Sequence, residues 1–300
     1  MLDICLPGTG GMAPLPGRFL TCCWIEAEGK AVLIDCGEGT QVALSAAGCK
    51  MSRLEALLLT HFHADHVAGL PGLMLTLGNQ GKTSPLTIVG PRGLKHVVSS
   101  LLVIAAALPF EIRLLELGGT GTAQPLEMAG LHISSLPLDH RVPCFGYRAE
   151  LWRKPVFNPQ KAEALGIPKP YYKWLHAGEK VVVDGRTILP EMVLDGARAP
   201  LCVAYCTDSR PVKAVAALAR DVDLMICEGM YGDADMRAKM QEKGHMLFSD
   251  AASLAAEAGA KELWLTHYSP ALQHPAEFLN AAKSVFPHTR LGQDGLRKSI

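Results

Sequence analysis

The sequence predicts an α/β layered sandwich, and three observations carry that expectation. Short apolar runs rich in branched residues recur along the chain, helix-like stretches separate them, and most runs end at His, Asp or Glu. Strands buried on both faces read as continuous apolar runs, and layered domains collect the polar ends of such strands on one edge. A doubly wound parallel sheet fits the same pattern, since strand order is not legible in one sequence.

The first runs are residues 31–34 before Asp35-Cys36-Gly37, 56–59 before Thr60-His61, and 86–89 before Gly90-Pro91. Each has strand length and branched content. Helices are expected over 39–47 and over 67–77, where Gly69 and Gly72 permit close approach to a sheet. The second part repeats the logic. Residues 201–206 predict a strand ending at Thr207-Asp208, and 224–227 one ending at Glu228. The alanine-rich stretch 249–259 is the clearest helix, and 262–265 a strand running into Thr266-His267.

With 49% hydrophobic and 19% charged residues, the chain has ample material for a core. Its 29 basic and 29 acidic residues cancel, so no bulk field recruits nucleic acid or membrane, and a polyanion site must come from local clustering. The longest purely apolar run, 101–108, stops at Pro109, far short of the ~20 residues a membrane span needs. No low-complexity linker divides the chain, so a single domain over 1–300 is expected. The first residues lack a basic stretch followed by an apolar one, so no signal peptide is expected. Nine cysteines without CxxC spacing read as reduced, mostly buried thiols, and the expected compartment is the cytoplasm.

One segment stands apart. Between Arg148 and Arg186 lie eight basic and four acidic side chains, interleaved with Trp152, Phe157, Tyr171, Tyr172 and Trp174 and with four prolines. This predicts an inserted arm over 149–186 rather than core. A surface excursion whose aromatics pack locally, or at a dimer contact, is the plainer reading of the same residues.

The densest chemistry is His61-Phe62-His63-Ala64-Asp65-His66, after a buried strand and before a helix. Residues two apart in an extended segment point the same way, so His61 and His63 can share a metal. Asp65 and His66 fall where the chain turns and can reach a second ion. Imidazole suits zinc, although manganese or iron accept the same nitrogen and oxygen donors. Two ions roughly 3.5–4 Å apart clamp the attacking and leaving oxygens of a displacement. Three histidines and an aspartate in six residues are costly to bury unpaired, which favours ligation over isolated core histidines. His140, Asp208 and His267, all at or just past expected strand ends, supply the missing donors, and Asp208 can bridge through its two oxygens.

This set, HxHxDH followed by single His, Asp and His, resembles the metallo-β-lactamase superfamily, and the likeness spans nearly the whole chain. Within it the sequence is similar to the ribonuclease Z family, endonucleases that remove 3′ trailers from precursor tRNA. Pro7-Gly8-Thr9-Gly10-Gly11, Asp35-Cys36-Gly37-Glu38-Gly39-Thr40-Gln41, Gly69-Leu70-Pro71-Gly72, Gly244-His245 and Leu265-Thr266-His267-Tyr268-Ser269 carry that likeness. The resemblance implies a four-layer αββα sandwich and two Zn²⁺ per subunit. It assigns His61, His63 and His140 to one ion, Asp65, His66 and His267 to the other, and Asp208 to both.

The resemblance also implies roles. Asp65 would orient and deprotonate the attacking water, and His245, paired with Glu228, would assist at the phosphate and leaving oxygen. Read alone, His245 in its polar stretch is an exposed loop histidine. Asp35 is expected to orient a ligand from behind. In Pro14-Leu15-Pro16-Gly17-Arg18-Phe19, Pro14 and Arg18 match the family's tRNA-binding loop, whereas Pro16 and Phe19 stand where Lys and Asn are usual. The family's flexible exosite follows the strand ending at Gly146-Tyr147-Arg148 and grips tRNA. Arg153, Lys169, Tyr171, Lys173 and Trp174 are its counterparts here, although Pro168-Lys169-Pro170-Tyr171-Tyr172 does not reproduce the usual Gly/Pro-rich tip. A homodimer is the implied assembly, precursor tRNA the implied partner, and no membrane is involved.

The expected function is therefore zinc-dependent endonucleolytic cleavage of precursor tRNA. The alternative keeps the dinuclear site but gives it a small phosphodiester or related ester. Intact ligand positions argue against a metal-free RNA-binding relative, and His63, where a glutamate would be expected, against a di-iron redox variant.

Overall fold

Side chains alternate in direction along a strand, and here that alternation sorts the buried residues onto two faces. In the strand Leu224–Glu228, Met225 and Cys227 join an apolar cluster with helical residues, whereas Leu224, Ile226 and Glu228 turn the other way. Lys30–Ile34 does the same, with Ala31 and Leu33 packed towards helices and Val32 and Ile34 on the opposite face. The computed structural model describes all residues except 106, 123 and 233.

Among the described residues, two seven-stranded mixed sheets form the centre. The first runs Leu296–Ser299, Leu2–Gly8, Cys22–Ala27, Lys30–Ile34, Leu54–Leu58, Leu86–Gly90, Ile112–Glu116, antiparallel at first and parallel from Lys30–Ile34 onward. The second runs Thr289–Leu291, Leu263–Thr266, Leu224–Glu228, Leu201–Cys206, Cys144–Leu151, Leu131–Leu138, Leu126–Met128. Its first four strands are parallel and its last three antiparallel. Two mixed sheets with helices outside replace the doubly wound alternative, and the four-layer sandwich expected from the resemblance is the fold.

Helices Thr40–Ala46, Leu70–Asn79 and Leu94–Leu101 cover the first sheet, and Lys213–Leu218, Arg237–Lys243, Phe248–Ala258 and Leu279–Val285 the second. Polar ties cross between the sheets. The Tyr147 hydroxyl donates to the Leu59 carbonyl (2.7 Å), the Phe145 N–H to the Thr60 carbonyl (3.0 Å), and Thr21 Oγ1 lies 2.9 Å from Thr266 Oγ1. Each satisfies a group that would otherwise be buried unpaired. The single helix expected over 67–77 is instead two, Ala64–Val67 and Leu70–Asn79, with Gly69 at the break and Pro71 in the first turn of the second.

Residues 151–201 separate as a second compact unit. It holds the paired strands Val156–Phe157 with Leu194–Asp195 and Val181–Val183 with Arg186–Ile188, and the helices Pro159–Ala164 and Tyr172–Ala177. Asn158 caps the first helix by accepting from the Lys161 N–H (3.1 Å), and Asp195 pairs with Lys161 (2.9 Å). The unit has an apolar core of its own, including Ala162, Ile167, Leu175, Val183, Ile188 and Val193, so its sequence is not only surface. No helix among the described residues is long and apolar enough to cross a membrane, and the nine cysteines are all free and buried.

Candidate metal centre

The site is assembled at the C-terminal ends of parallel strands, where open α/β sheets place their ligands. His61 follows Leu54–Leu58, Asp208 follows Leu201–Cys206, Glu228 ends its strand, and His267 follows Leu263–Thr266. Leaving a strand abruptly into a buried cluster requires a sharp turn. Asp35 (φ 63°), Asp208 (φ 53°) and His267 (φ 59°) make it in the left-handed region. Such a conformation costs a non-glycine residue about 1–3 kcal/mol, which the surrounding packing must hold in place.

Two groups of donors converge. His61 Nε2 lies 2.9 Å from His63 Nδ1, and His140 Nε2 lies 3.3 Å from the same His63 nitrogen. In the second group, His66 Nε2 is 3.3 Å from His267 Nε2, and Asp65 Oδ2 is 3.5 Å from each. Asp208 stands between them. Its Oδ1 is 4.0 Å from His61 Nε2 and from His140 Nε2, and its Oδ2 is 3.1 Å from His66 Nε2 and 3.3 Å from His267 Nε2. The seven residues singled out in the sequence thus meet in one place, one carboxylate oxygen facing each group.

The surroundings orient these rings. Asp35 is fully buried and accepts from His66 Nδ1 (2.8 Å) and from the Thr60 hydroxyl and N–H. Because the Thr60 hydroxyl hydrogen goes to Asp35, its oxygen accepts from His61 Nδ1–H (3.0 Å), leaving the His61 Nε2 lone pair aimed at the cluster. His140 Nδ1–H donates to the Gly244 carbonyl (2.9 Å), with the same result for its Nε2. Burial lowers the proton affinity of His61, His63 and His140, with neighbouring histidines adding to it. Neutral imidazoles are what a metal requires. Burial alone would raise Asp65 and Asp208; the His267 and His66 ring nitrogens that face both carboxylates hold them well below the usual carboxylate range.

Two glycines are there for clearance. A Cβ on Gly244, whose φ is +79°, would lie 2.8 Å from His140 Nδ1, and one on Gly11 would lie 2.7 Å from the His267 ring. Both belong to the glycine-bearing motifs of the sequence, and both have a steric reason.

Whether the residues fit divalent ions can be judged from the donors. Among the described residues the buried Asp208 Oδ2 has no hydrogen-bond partner, and imidazole nitrogens and carboxylates crowd within 4.8 Å of one another in each group. Unpaired donors so arranged are costly without a cation among them. All are nitrogen or oxygen donors, a set that fits zinc and its first-row neighbours.

His245 is buried (8% exposed), not the loop histidine its polar sequence suggests. Its ring stacks near His267 with centroids 5.6 Å apart. Its Nδ1 is 3.1 Å from Glu228 Oε2 and 3.8 Å from Asp208 Oδ1. Glu228 is itself clamped, accepting the Ser209 N–H at 2.6 Å and the Met246 N–H at 3.3 Å. Burial would lower His245, but the Glu228 charge and hydrogen bond, with Asp208 and Asp65, push it up to about 9. A cavity of about 340 Å³ opens on Asp65, His63, His140, Asp208, His245 and His267.

The expected substrate contacts are placed differently. The Arg18 guanidinium donates to the Leu272 carbonyl (3.1 Å), lies over the Tyr268 ring, and lines a neighbouring cavity rather than the one above the metal ligands. In the 151–201 unit, Arg153 donates to the Ala199 carbonyl (2.9 and 2.6 Å). Lys173 Nζ sits 4.7 Å from the Trp174 ring centroid, Trp174 and Lys169 are exposed, and Tyr171 packs half-buried against the unit's core. Sequence reasoning missed Thr60 as a positioning group, although it adjoins His61. It also missed Met12, whose N–H donates to Asp65 Oδ2 (2.7 Å), and Arg141, Lys239, Lys243 and Tyr231, which line the cavity. The spacing of Lys239 and Lys243, four apart just before Gly244-His245, was a signal available for two of them.

A family model described as "Anti-Pycsar protein Apyc1" matches residues 2–103. "Ribonuclease Z" of Lachnospira eligens is 46% identical over 295 residues, 98% of this chain and 96% of that protein. "Ribonuclease Z" of Clostridium kluyveri is 44% identical over 301 residues, covering 100% and 99%. Among solved structures, human tRNase Z, short form, aligns with a TM-score of 0.70 at 24% identity over 99% of both chains. The metallo-beta-lactamase fold protein YhfI from Bacillus subtilis aligns with a TM-score of 0.70 at 20% identity, over 99% and 98%.

Proposed function

This chain belongs to the ribonuclease Z family of metal-dependent tRNA 3′-processing endonucleases, and from that membership we propose how its residues divide the work on precursor tRNA. His61, His63 and His140 would hold one Zn²⁺, Asp65, His66 and His267 a second, and Asp208 both; Mn²⁺ or Fe²⁺ would suit the same donors. When bound, such ions supply a hydroxide nucleophile near neutral pH and neutralise charge on the phosphate. The carrying observation is the split of Asp208 between the two donor groups, Oδ1 towards one and Oδ2 towards the other.

Asp65 is held ionised with Oδ2 oriented by the Met12 N–H. That carboxylate would orient the attacking water by accepting a hydrogen bond from it. His245, kept protonated at neutral pH by Glu228, donates to the leaving 3′ oxygen. Glu228 touches no substrate; it fixes the ring and its charge from behind. Arg153, Lys169, Lys173, Tyr171 and Trp174 would contribute RNA contacts by ion pairing and stacking. The family resemblance further suggests a cytoplasmic homodimer.

Purified protein supplied with zinc is expected to cut a precursor tRNA just after the discriminator base and leave a 3′ hydroxyl on the tRNA. Hydrolysis of bis(p-nitrophenyl) phosphate with the precursor left intact, across metals and salt, would instead favour a small-substrate esterase. Pro16 and Phe19, standing where the family's loop has Lys and Asn, are the residues that make that comparison informative.

A further inference from the structure

One side of the metal cavity carries charge that the cluster itself does not use. Arg141, Lys239 and Lys243 line it, while Met12, Pro270 and Ala271, all uncharged, line it elsewhere. Among the described residues the cavity's only carboxylates are Asp65 and Asp208, both facing imidazoles of the cluster. Lys243 lies 3.4 Å from Glu242, a pair with both ends in solvent and so strongly screened. Lys239 and Lys243 are four residues apart on the helix Arg237–Lys243 and therefore share a face.

Their positions are set by the scaffold. The Arg210 N–H donates to the Asp139 carbonyl (2.9 Å), and its side chain joins the Asp139 carboxylate (3.0 Å) to the Gln241 carbonyl (2.8 Å). His140 Nδ1–H reaches the Gly244 carbonyl. The segment bearing Arg141 and the C-terminal end of the helix bearing both lysines are thereby stitched together beside the ligands.

We propose that Arg141, Lys239 and Lys243 form a wall that binds the RNA phosphates flanking the scissile one, a positioning and specificity role for this site. It rests on the endoribonuclease function proposed for the metal centre. A guanidinium presents forked donors to phosphate and the ammonium groups act as point charges, so the three neutralise a polyanionic backbone along one side of the cavity. The chain's overall neutrality makes such a local field necessary.

The test compares wild type with the triple variant Arg141→Gln, Lys239→Gln, Lys243→Gln, on precursor tRNA and on bis(p-nitrophenyl) phosphate, which has no flanking phosphates. For the precursor, KM should rise roughly tenfold with kcat nearly kept. The dependence of log kcat/KM on log salt should flatten by about 0.7 for each phosphate that is no longer neutralised. Small-diester kinetics and the thermal midpoint should not move, and the charge-keeping Lys, Arg, Arg triple should recover the precursor KM. Equal losses on both substrates, or an unchanged precursor KM and salt slope beside an active wild type, would overturn the wall alone. A wild type that leaves the precursor intact would overturn the endoribonuclease reading and the wall with it.

Discussion

Glu228 is fully buried, and its carboxylate is spent on two backbone N–H groups and on His245. This arrangement sets the charge of a histidine that burial alone would keep neutral. A group whose pKa is raised carries its proton at lower pH and loses it as pH rises through the raised value, here about 9. Activity that needs His245 protonated therefore declines on the alkaline side. In Glu228→Gln the carboxylate charge is gone and burial dominates, so the alkaline limb of log kcat should move down by more than about one unit. His245→Ala should lose roughly 10²–10⁴-fold in kcat. An unshifted limb in Glu228→Gln would remove the acid role from His245. The candidate donors stood out in sequence because their types and density have few structural uses. The burial of His245 did not, because it comes from Glu228 and Tyr231 on other segments.

At the scale of elements, two devices matter: strand ends that turn sharply, and an insertion with its own core. Asp35, Asp208 and His267 take left-handed backbone where each strand stops, a conformation that Asp and His adopt more readily than most side chains. The insertion leaves the strand Cys144–Leu151 and returns in the neighbouring strand Leu201–Cys206. Its basic and aromatic content stood out in sequence, but not its end, because the strands that close it are two and three residues long. Because Val156–Phe157 pairs with Leu194–Asp195 and Val181–Val183 with Arg186–Ile188, the insertion has to be removed as a whole. Replacing residues 152–200 by a short glycine-rich linker should raise the precursor KM at least about tenfold and leave bis(p-nitrophenyl) phosphate turnover intact. Parallel losses on both substrates would remove the RNA-binding role from the insertion.

For the molecule as a whole, the donor clusters tie strands of both sheets to one point. His61 and His66 come from the first sheet's side, and His140, Asp208 and His267 from the second. A bound metal therefore acts as a cross-link between the two halves of the sandwich, and its loss leaves buried donors unpaired. Chelation is expected to abolish hydrolysis of both substrates and to lower the thermal midpoint by about 10 °C. Zinc or manganese should restore both. A midpoint indifferent to chelator would mean that no metal is bound in the folded protein as isolated. Sedimentation in the metal-loaded state reads the assembly at once, and a single species of one-chain mass would rule out the homodimer.

The sequence by itself determined the layered α/β class and the strand ends that carry chemistry, and it singled out the seven residues that meet there. Those follow from local composition: apolar runs of strand length must be buried, and ionisable residues placed at their ends must be partnered. Tertiary structure alone decided that there are two mixed sheets rather than one wound sheet, because pairing order depends on contacts far apart in the chain. It alone buried His245, which read as an exposed loop residue, and brought Arg141 beside Lys239 and Lys243. Each of those is a distance between separate segments, and a single sequence carries no information on distance beyond the reach of its local periodicity.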